Sequence, residues 1–218
     1  MVTLSEENYL KAIYHLGKQG REAVSTNAIA EQMDTKASSV TDMIKKLAEK
    51  DLVNYVKYQG VNLTKTGRLT AASIVRKHRL WEVFLVEKLN FSWDEVHDVA
   101  EQLEHVKSEK LIDQLDAFLG HPKEDPHGDP IPDKEGNISK SEKIVLSQVD
   151  AGTSCVCVGV KSSTKEFLQY LDKIRLSLGA EIEVISKEPF DQSLVVLLNN
   201  QEITISAMTA NNLYVLKQ

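Results

Sequence analysis

Cysteine is almost absent from this chain: two residues in 218, Cys155 and Cys157, set one residue apart in an apolar stretch. So close a pair is a poor disulfide and lacks the four-ligand pattern of a structural zinc site. The expectation is two buried thiols in a reducing cytoplasm. Proline is scarce too, with four of the five residues crowded into "GHPKEDPHGDPIPDKEGN" (120–137). The rest is therefore free to form long regular elements, and this stretch reads as an ordered turn region or linker. No apolar run approaches the ~20 residues of a membrane span. The opening "MVTLSEENYL" has neither the basic n-region nor the apolar h-region of a secretory signal. There is no G-x-S-x-G, Walker loop, G-x-G-x-x-G or zinc-finger spacing, and no internal repeat.

Excess positive charge is missing as well. The formal net charge of −6 argues against a generic nucleic-acid coat, yet the imbalance is uneven. Through Ser73 there are 10 basic and 8 acidic residues, and thereafter 16 basic and 24 acidic. A polyanion would meet the first third and a cation the remainder.

Periodicity supplies the elements. Ser5 is a candidate cap for a helix through Leu16, and Ser25 or Thr26 for a short second helix. A third helix has Val40, Ile44 and Leu47 on one side, and two β-like runs follow around Gln59-Gly60. Three helices and a hairpin are the order of a winged helix-turn-helix. A long helix is expected over 65–89, another from a Ser92 cap to about Val106, and a third from Ser108 to Leu119. From about Val145, β-rich runs around one helix (164–177) suggest a small barrel. The fold class is thus mainly α with small β parts. The domains are expected at 1–73 (winged helix), 74–140 (helical) and 141–218 (linker and SH3-like, FeoA-like barrel).

Two groups of residues could carry chemistry. Lys36, Ser38, Ser39, Thr41, Lys45 and Lys46 occupy the polar side of the third helix, where they could reach phosphates and base edges in a major groove, and Lys57 and Tyr58 sit on the wing. An ordinary polar helix surface is the competing account. Five of the six histidines lie between His78 and His127. His78 and Glu82 stand four apart, as do His97 and Glu101, and Glu101, Glu104 and His105 continue the second stripe. Imidazoles and carboxylates without a thiolate suit Mn(II) first and Fe(II) second. The plain alternative is solvated pairs at i, i+4, and for His78–Glu82 alone it is the simpler account. Trp81, Phe84, Leu85 and Leu89 form a candidate apolar dimer seam, with an ordinary core as the alternative.

"SSVTDMIKKLAEKDLV", "LTKTGRLTA", "RKHRLWEVFL", "VHDVAEQLEHV" and "HGDPIP", in this order and spacing, resemble the diphtheria toxin repressor family of iron- and manganese-dependent bacterial transcriptional regulators. The resemblance is specific over residues 5–133 and looser beyond. It implies a primary metal position built from Asn8, Glu101, Glu104 and His105, and an ancillary one from His78, Glu82 and His97. In some manganese-type relatives Glu82 instead joins Asp125 and His127, and Glu166 is the nearest candidate ligand in the C-terminal domain. Glu101 stands where iron-type members tend to carry Cys, which favours manganese. Asn8 stands where manganese-type members tend to carry Asp, and Lys11 where some relatives have a second acidic ligand. The resemblance implies a repressor of metal-uptake genes, a homodimer on a palindromic double-stranded operator, with no membrane partner. In its expected mechanism the carboxylates repel one another without metal, and metal ties the first helix to them. Two rivals remain: a winged-helix regulator whose cluster is structural, and a di-metal carboxylate enzyme. The enzyme needs Glu-x-x-His on two helices, whereas here Glu101-x-x-x-His105 occurs once and His78-x-x-x-Glu82 reverses the order.

Overall fold

A computed structural model describes residues 2–56, 59–139 and 142–218. The elements in chain order are α1 (Leu4–Leu16), α2 (Thr26–Gln32), α3 (Ala37–Glu49), β1 (Val53–Val56), β2 (Gly60–Leu63), α4 (Lys65–Leu89), α5 (Val96–Leu103) and α6 (Glu109–Phe118). Then come β3 (Ile144–Val145), a 3-10 turn, β4 (Thr153–Val160), α7 (Lys165–Lys173), β5 (Glu181–Lys187), β6 (Leu194–Leu198), β7 (Gln201–Ile205), α8 (Ala207–Ala210) and β8 (Leu213–Lys217). Two compact units emerge: Met1–Trp81 with Ala100–Leu115 and Ile131–Ile138, and Glu82–Val99 with Asp116–Pro130 and Ser139–Gln218.

The first unit is a winged helix with helical additions. The cap of α1 lies two residues before the expected Ser5, because Thr3 and Glu6 form a capping box: the Thr3 hydroxyl accepts from Glu6 N–H, and the Glu6 carboxylate accepts from Thr3 N–H. That carboxylate also takes Lys50 Nζ at 2.7 Å, so the start of α1 is tied to the C-cap of α3. Ser25 caps α2 through Ala28 N–H. β1 and β2 pair antiparallel, Val53 opposite Leu63 and Val56 opposite Gly60. Leu10, Ile13, Ile29, Val40, Ile44, Leu47 and Val61 fill the core beneath them with no exposed surface. Burying that many large aliphatic side chains, at about 1.5–3 kcal/mol each, is what holds three short helices and a two-stranded wing together. Arg76 donates to the Pro132 carbonyl at 2.9 Å and Lys134 pairs with Asp113, which fixes the segment Ile131–Ile138 on this unit.

The second unit centres on a six-stranded antiparallel sheet, ordered β3-β8-β4-β5-β6-β7. Alternation explains it: Cys155 and Cys157 of β4, Ile182 and Val184 of β5, Leu194, Val196 and Leu198 of β6, and Leu213 and Val215 of β8 point into one core. Leu168 and Leu171 of α7 cover it. Register shifts at Cys157/Gly159 and Val184/Ser186 add local twist. This is the SH3-like arrangement expected. α5 starts at Val96 rather than at a Ser92 cap, since residues 93–95 form a turn in which Ser92 N–H donates to the Glu95 carboxylate. Among the described residues no helix is long and apolar enough to cross a membrane.

Candidate metal centre and nucleic-acid interface

Within the first unit, α1, the α4 residues before Glu82 and the residues from Glu101 to His105 bring carboxylates and imidazoles together. Glu104, from the turn after α5, is fully buried. Its two oxygens accept from Lys11 Nζ of α1 at 2.8 Å each, and Oε2 lies 2.6 Å from His78 Nδ1 of α4. Lys11 also donates to Glu101 Oε1, and His78 Nδ1 lies 4.0 Å from that oxygen. His105 Nε2 is 3.8 Å from Glu104 Oε1, while its Nδ1 is 2.6 Å from Glu7 Oε2 of α1. Burial works to raise the Glu104 pKa, but the hydrogen bond from His78 and the charge of Lys11 outweigh it and hold the carboxyl below its usual value. The carboxylate is therefore ionised although dry.

Asn8 lies between Glu7 and Lys11 on α1. Its Oδ1 is buried and has no hydrogen-bond partner. A buried carbonyl oxygen without a donor costs about 1–3 kcal/mol, and a cation would satisfy it. Glu7 and Lys11, on the same helix as Asn8, contact His105, Glu101 and Glu104; two carboxylates, an imidazole and an amide oxygen are all hard or borderline donors, a set whose chemistry fits a divalent first-row ion. Neither cysteine competes: burial pushes both thiols up to about 11, so they stay protonated within the sheet core.

The expected repulsion among these carboxylates is not what the structure shows. Lys11 and His78 already surround Glu104. Glu7 was missing from the candidates, although its position four residues before Lys11 on α1, on the stripe that flanks Asn8, was a readable signal.

The second unit builds a separate cluster. Glu82 of α4 and Asp125 and His127 of the "PHGDP" turn are all buried, and one potential ligand atom from each lies within 4.8 Å of the others. His127 Nδ1 is 3.8 Å from Glu82 Oε2 and 4.0 Å from Asp125 Oδ1. Asp125 Oδ1 accepts from the N–H groups of His127 and Asp129, which closes the turn. His127 Nε2 donates to the Trp93 carbonyl at 2.7 Å, with the two rings stacked 6.4 Å apart. That bond fixes the tautomer and leaves Nδ1 to face the carboxylates, as metal-binding histidines require. Burial alone would lower the His127 pKa, but Glu82, Asp125 and the Trp93 carbonyl reverse this and push it up to about 9. The indole N–H of Trp93 in turn donates to Asp172 of α7. Trp93 also escaped sequence reasoning, because its role depends on a tertiary contact.

The remaining candidates are placed as follows. His97, exposed on α5, has Nδ1 3.4 Å from Glu82 Oε1. His78 belongs to the first unit, whereas Glu82 and His97 belong to the second. Glu166 is exposed in the first turn of α7 and lines a cavity of about 480 Å³ with Phe167, Tyr170 and Met208. Of the proposed dimer seam, Leu85 is buried and Leu89 is 52% exposed.

On α3, Lys36, Ser38, Ser39, Lys45 and Lys46 are exposed along the side opposite Val40, Ile44 and Leu47. The Thr41 hydroxyl donates to the Ala37 carbonyl, so it has only acceptor capacity left for DNA. Lys36 is the N-cap residue but makes no side-chain cap bond. The α3 N-terminus thus presents open N–H groups beside lysine and serine side chains, a surface suited to phosphate. The wing candidates Lys57 and Tyr58 lie outside the described residues.

Comparison with known proteins adds three matches along the chain. The family described as "Iron dependent repressor, N-terminal DNA binding domain" matches residues 1–61, and "Iron dependent repressor, metal binding and dimerisation domain" matches residues 64–133. The FeoA domain matches residues 144–217. The chain is 31% identical over 175 residues to the iron-dependent repressor IdeR of Mycobacterium tuberculosis, covering 77% of this chain and 75% of that one. It is 28% identical over 193 residues to the diphtheria toxin repressor of Corynebacterium diphtheriae, 84% of each. Among solved structures, a manganese-dependent transcriptional repressor in complex with manganese superposes with a TM-score of 0.84 at 34% identity, covering 98% of this chain and 100% of the other. ScaR with bound Zn2+ gives 0.77 at 32% identity, covering 98% and 99%.

Proposed function

The chain belongs to the iron-dependent repressor family, whose members are metal-dependent DNA-binding transcriptional repressors rather than enzymes, and from that premise we propose that it senses Mn(II), with Fe(II) as the alternative, and represses metal-uptake genes. The observation that carries the metal preference is the donor set. Asn8 Oδ1, Glu101, Glu104 and His105 offer oxygen and imidazole nitrogen only, and the sole thiols lie protonated in the sheet core. The similar manganese-dependent repressor bound to manganese supports the same reading.

In this reading residues 1–73 bind DNA, 74–140 hold metal and dimerise, and 141–218 form the linker and FeoA-like domain. The protein works in the cytoplasm as a homodimer, its two α3 helices entering successive major-groove half-sites of a palindromic operator. Lys36, Ser38, Ser39, Lys45 and Lys46 of α3, with Thr41 as an acceptor and Lys57 and Tyr58 on the wing, contact phosphates and base edges. When bound, the cation supplies the charge that lets Asn8, Glu101, Glu104 and His105 converge. A coupling of about 1–3 kcal/mol between that event and DNA affinity is enough for a switch. Glu82, Asp125 and His127, with His97 beside Glu82, hold a second ion.

The test is gel-shift titration on an operator selected from random-sequence DNA, with Mn(II) and with EDTA. Binding should need Mn(II), and Lys46→Ala should weaken it and lower the salt slope by about 1. Binding indifferent to both Mn(II) and EDTA sinks the metal switch.

The second site makes a pH prediction. A cation at His127 Nδ1 must displace its proton, so Mn(II) affinity there should rise about tenfold per pH unit and level off above the His127 value of about 9. In the metal-free protein the sign is opposite. The folded value is raised from 6.5 to about 9, so the stabilisation is complete below about pH 6.5 and is lost as pH rises through 9. Calorimetry in buffers of different ionisation heat counts the proton released, and a count of zero at pH 7 contradicts the assignment of His127.

A further inference from the structure

In the metal position proposed above, the space between the Glu101 and Glu104 carboxylates is held by a cation that belongs to the protein. Lys11 Nζ donates to both oxygens of Glu104 at 2.8 Å and to Glu101 Oε1. Four residues earlier on α1, Glu7 holds His105 Nδ1 at 2.6 Å. Glu101 and Glu104 are thus engaged by α1 itself, through Lys11, while Glu7 orients His105 through Nδ1 and leaves Nε2 facing Glu104 Oε1 at 3.8 Å. Asn8 alone is left without a partner at Oδ1.

We propose that Lys11 is an internal counter-cation that competes with the divalent ion for Glu101 and Glu104, so that uptake is an exchange in which the ammonium leaves the two carboxylates. Three observations support exchange over simple co-occupancy. The two Glu104 oxygens and Glu101 Oε1 lie within hydrogen-bond reach of one nitrogen, so an ion bridging those carboxylates would need the place of that nitrogen. The ammonium sits on a flexible four-carbon stem and is strongly hydrated once released, and the Lys11 side chain, 14% exposed, is close to water. Glu104 does not become isolated by the exchange, because His78 Nδ1 keeps Oε2 at 2.6 Å.

Two consequences follow for the sensor. Lys11 sets the free-metal concentration at which the site fills, by raising it. It also keeps α1 docked on Glu101 and Glu104 when metal is scarce, so the empty state is an ordered alternative with different partners. The inference rests on the metal reading given under the proposed function.

Lys11→Met keeps the stem and removes the charge, and Lys11→Arg keeps the charge. Mn(II) alone is the probe, with titration calorimetry for affinity and thermal unfolding of metal-free and Mn(II)-loaded protein for stability. Lys11→Met should bind Mn(II) about tenfold tighter or more, within the range usual for coupled sites. It should unfold at lower temperature than wild type without metal, and the gap between its loaded and metal-free transitions should widen. Lys11→Arg should bind no tighter than wild type. Lys11→Met binding at or below wild-type affinity overturns the proposal, since Lys11 would then be supporting the donors. A Lys11→Met protein that stays unfolded with and without Mn(II) overturns it too, because the ion would have failed to take over from the ammonium. Wild-type protein that binds no Mn(II) overturns both this proposal and the metal reading, whereas the first two outcomes leave the metal reading standing.

Discussion

Glu104→Ala should abolish the Mn(II) response and lower stability at the same time. The carboxylate is fully buried and serves Lys11 and His78 together. Removing one partner of a buried ionic group costs about 3–5 kcal/mol when the other is stranded. Lys11 keeps Glu101 here, so about 3 kcal/mol is the expectation, a fall in melting temperature of about 10 °C. Glu104→Gln keeps the volume and one acceptor oxygen, so it should melt closer to wild type. Neither variant offers a charged donor, and each should lose more than about 100-fold in Mn(II) affinity, beyond the 10–100-fold typical of outer-shell losses. The two variants together separate the site from the fold: if Glu104→Gln represses at wild-type Mn(II) concentrations, Glu104 is structural and the metal assignment fails.

Gly128→Ala should be the most damaging small change in the second unit. The residue has φ +81°, in the left-handed region, and an added Cβ would lie 2.0 Å from the Val158 carbonyl oxygen and 2.5 Å from Gly159 Cα. Both are backbone atoms, so no side chain can swing away. The same approach lets the neighbouring His127 carbonyl accept from Val160 N–H at 2.9 Å and so joins the Asp125–His127 turn to β4. The expected cost is more than about 4 kcal/mol, among the largest for one methyl group, with weakened Mn(II) binding if Glu82, Asp125 and His127 hold the proposed second ion. Gly120→Ala is the control. Its φ is +75°, but nothing lies within 4 Å of the added atom, so only the conformational cost of about 1–2 kcal/mol applies. Urea denaturation of the pair measures the difference, and equal losses would mean that the contact with β4 yields without strain.

Much of this architecture is legible in the sequence where a pattern is local. The span of α4, Lys65–Leu89, follows from periodicity alone, and the hairpin from Gln59-Gly60 between β-like runs. The start of α1 was misplaced although its signal, Thr-x-x-Glu at Thr3 and Glu6, is local too; the nearer serine competed with it. What sequence spacing does not carry is pairing across the chain. Lys11 meets Glu101 from 90 positions away, His105 meets Glu7 from 98, and His127 meets Trp93 from 34. Stripes on single helices put His78 with Glu82, whereas His78 Nδ1 lies against Glu104. Helical periodicity says which residues share a face, and only packing says which faces meet.

The Glu6–Lys50 bond bears on which operators are chosen. Glu6 caps α1 and holds Lys50 at the end of α3, directly before the residues that face the proposed metal donors. The bond therefore couples the start of α1 to the end of α3. In the proposed function, metal would act on how often α3 is presented to DNA rather than on the α3 surface itself. Sequences bound at saturating and at limiting Mn(II) should accordingly keep the same order of preference, with occupancy alone changing.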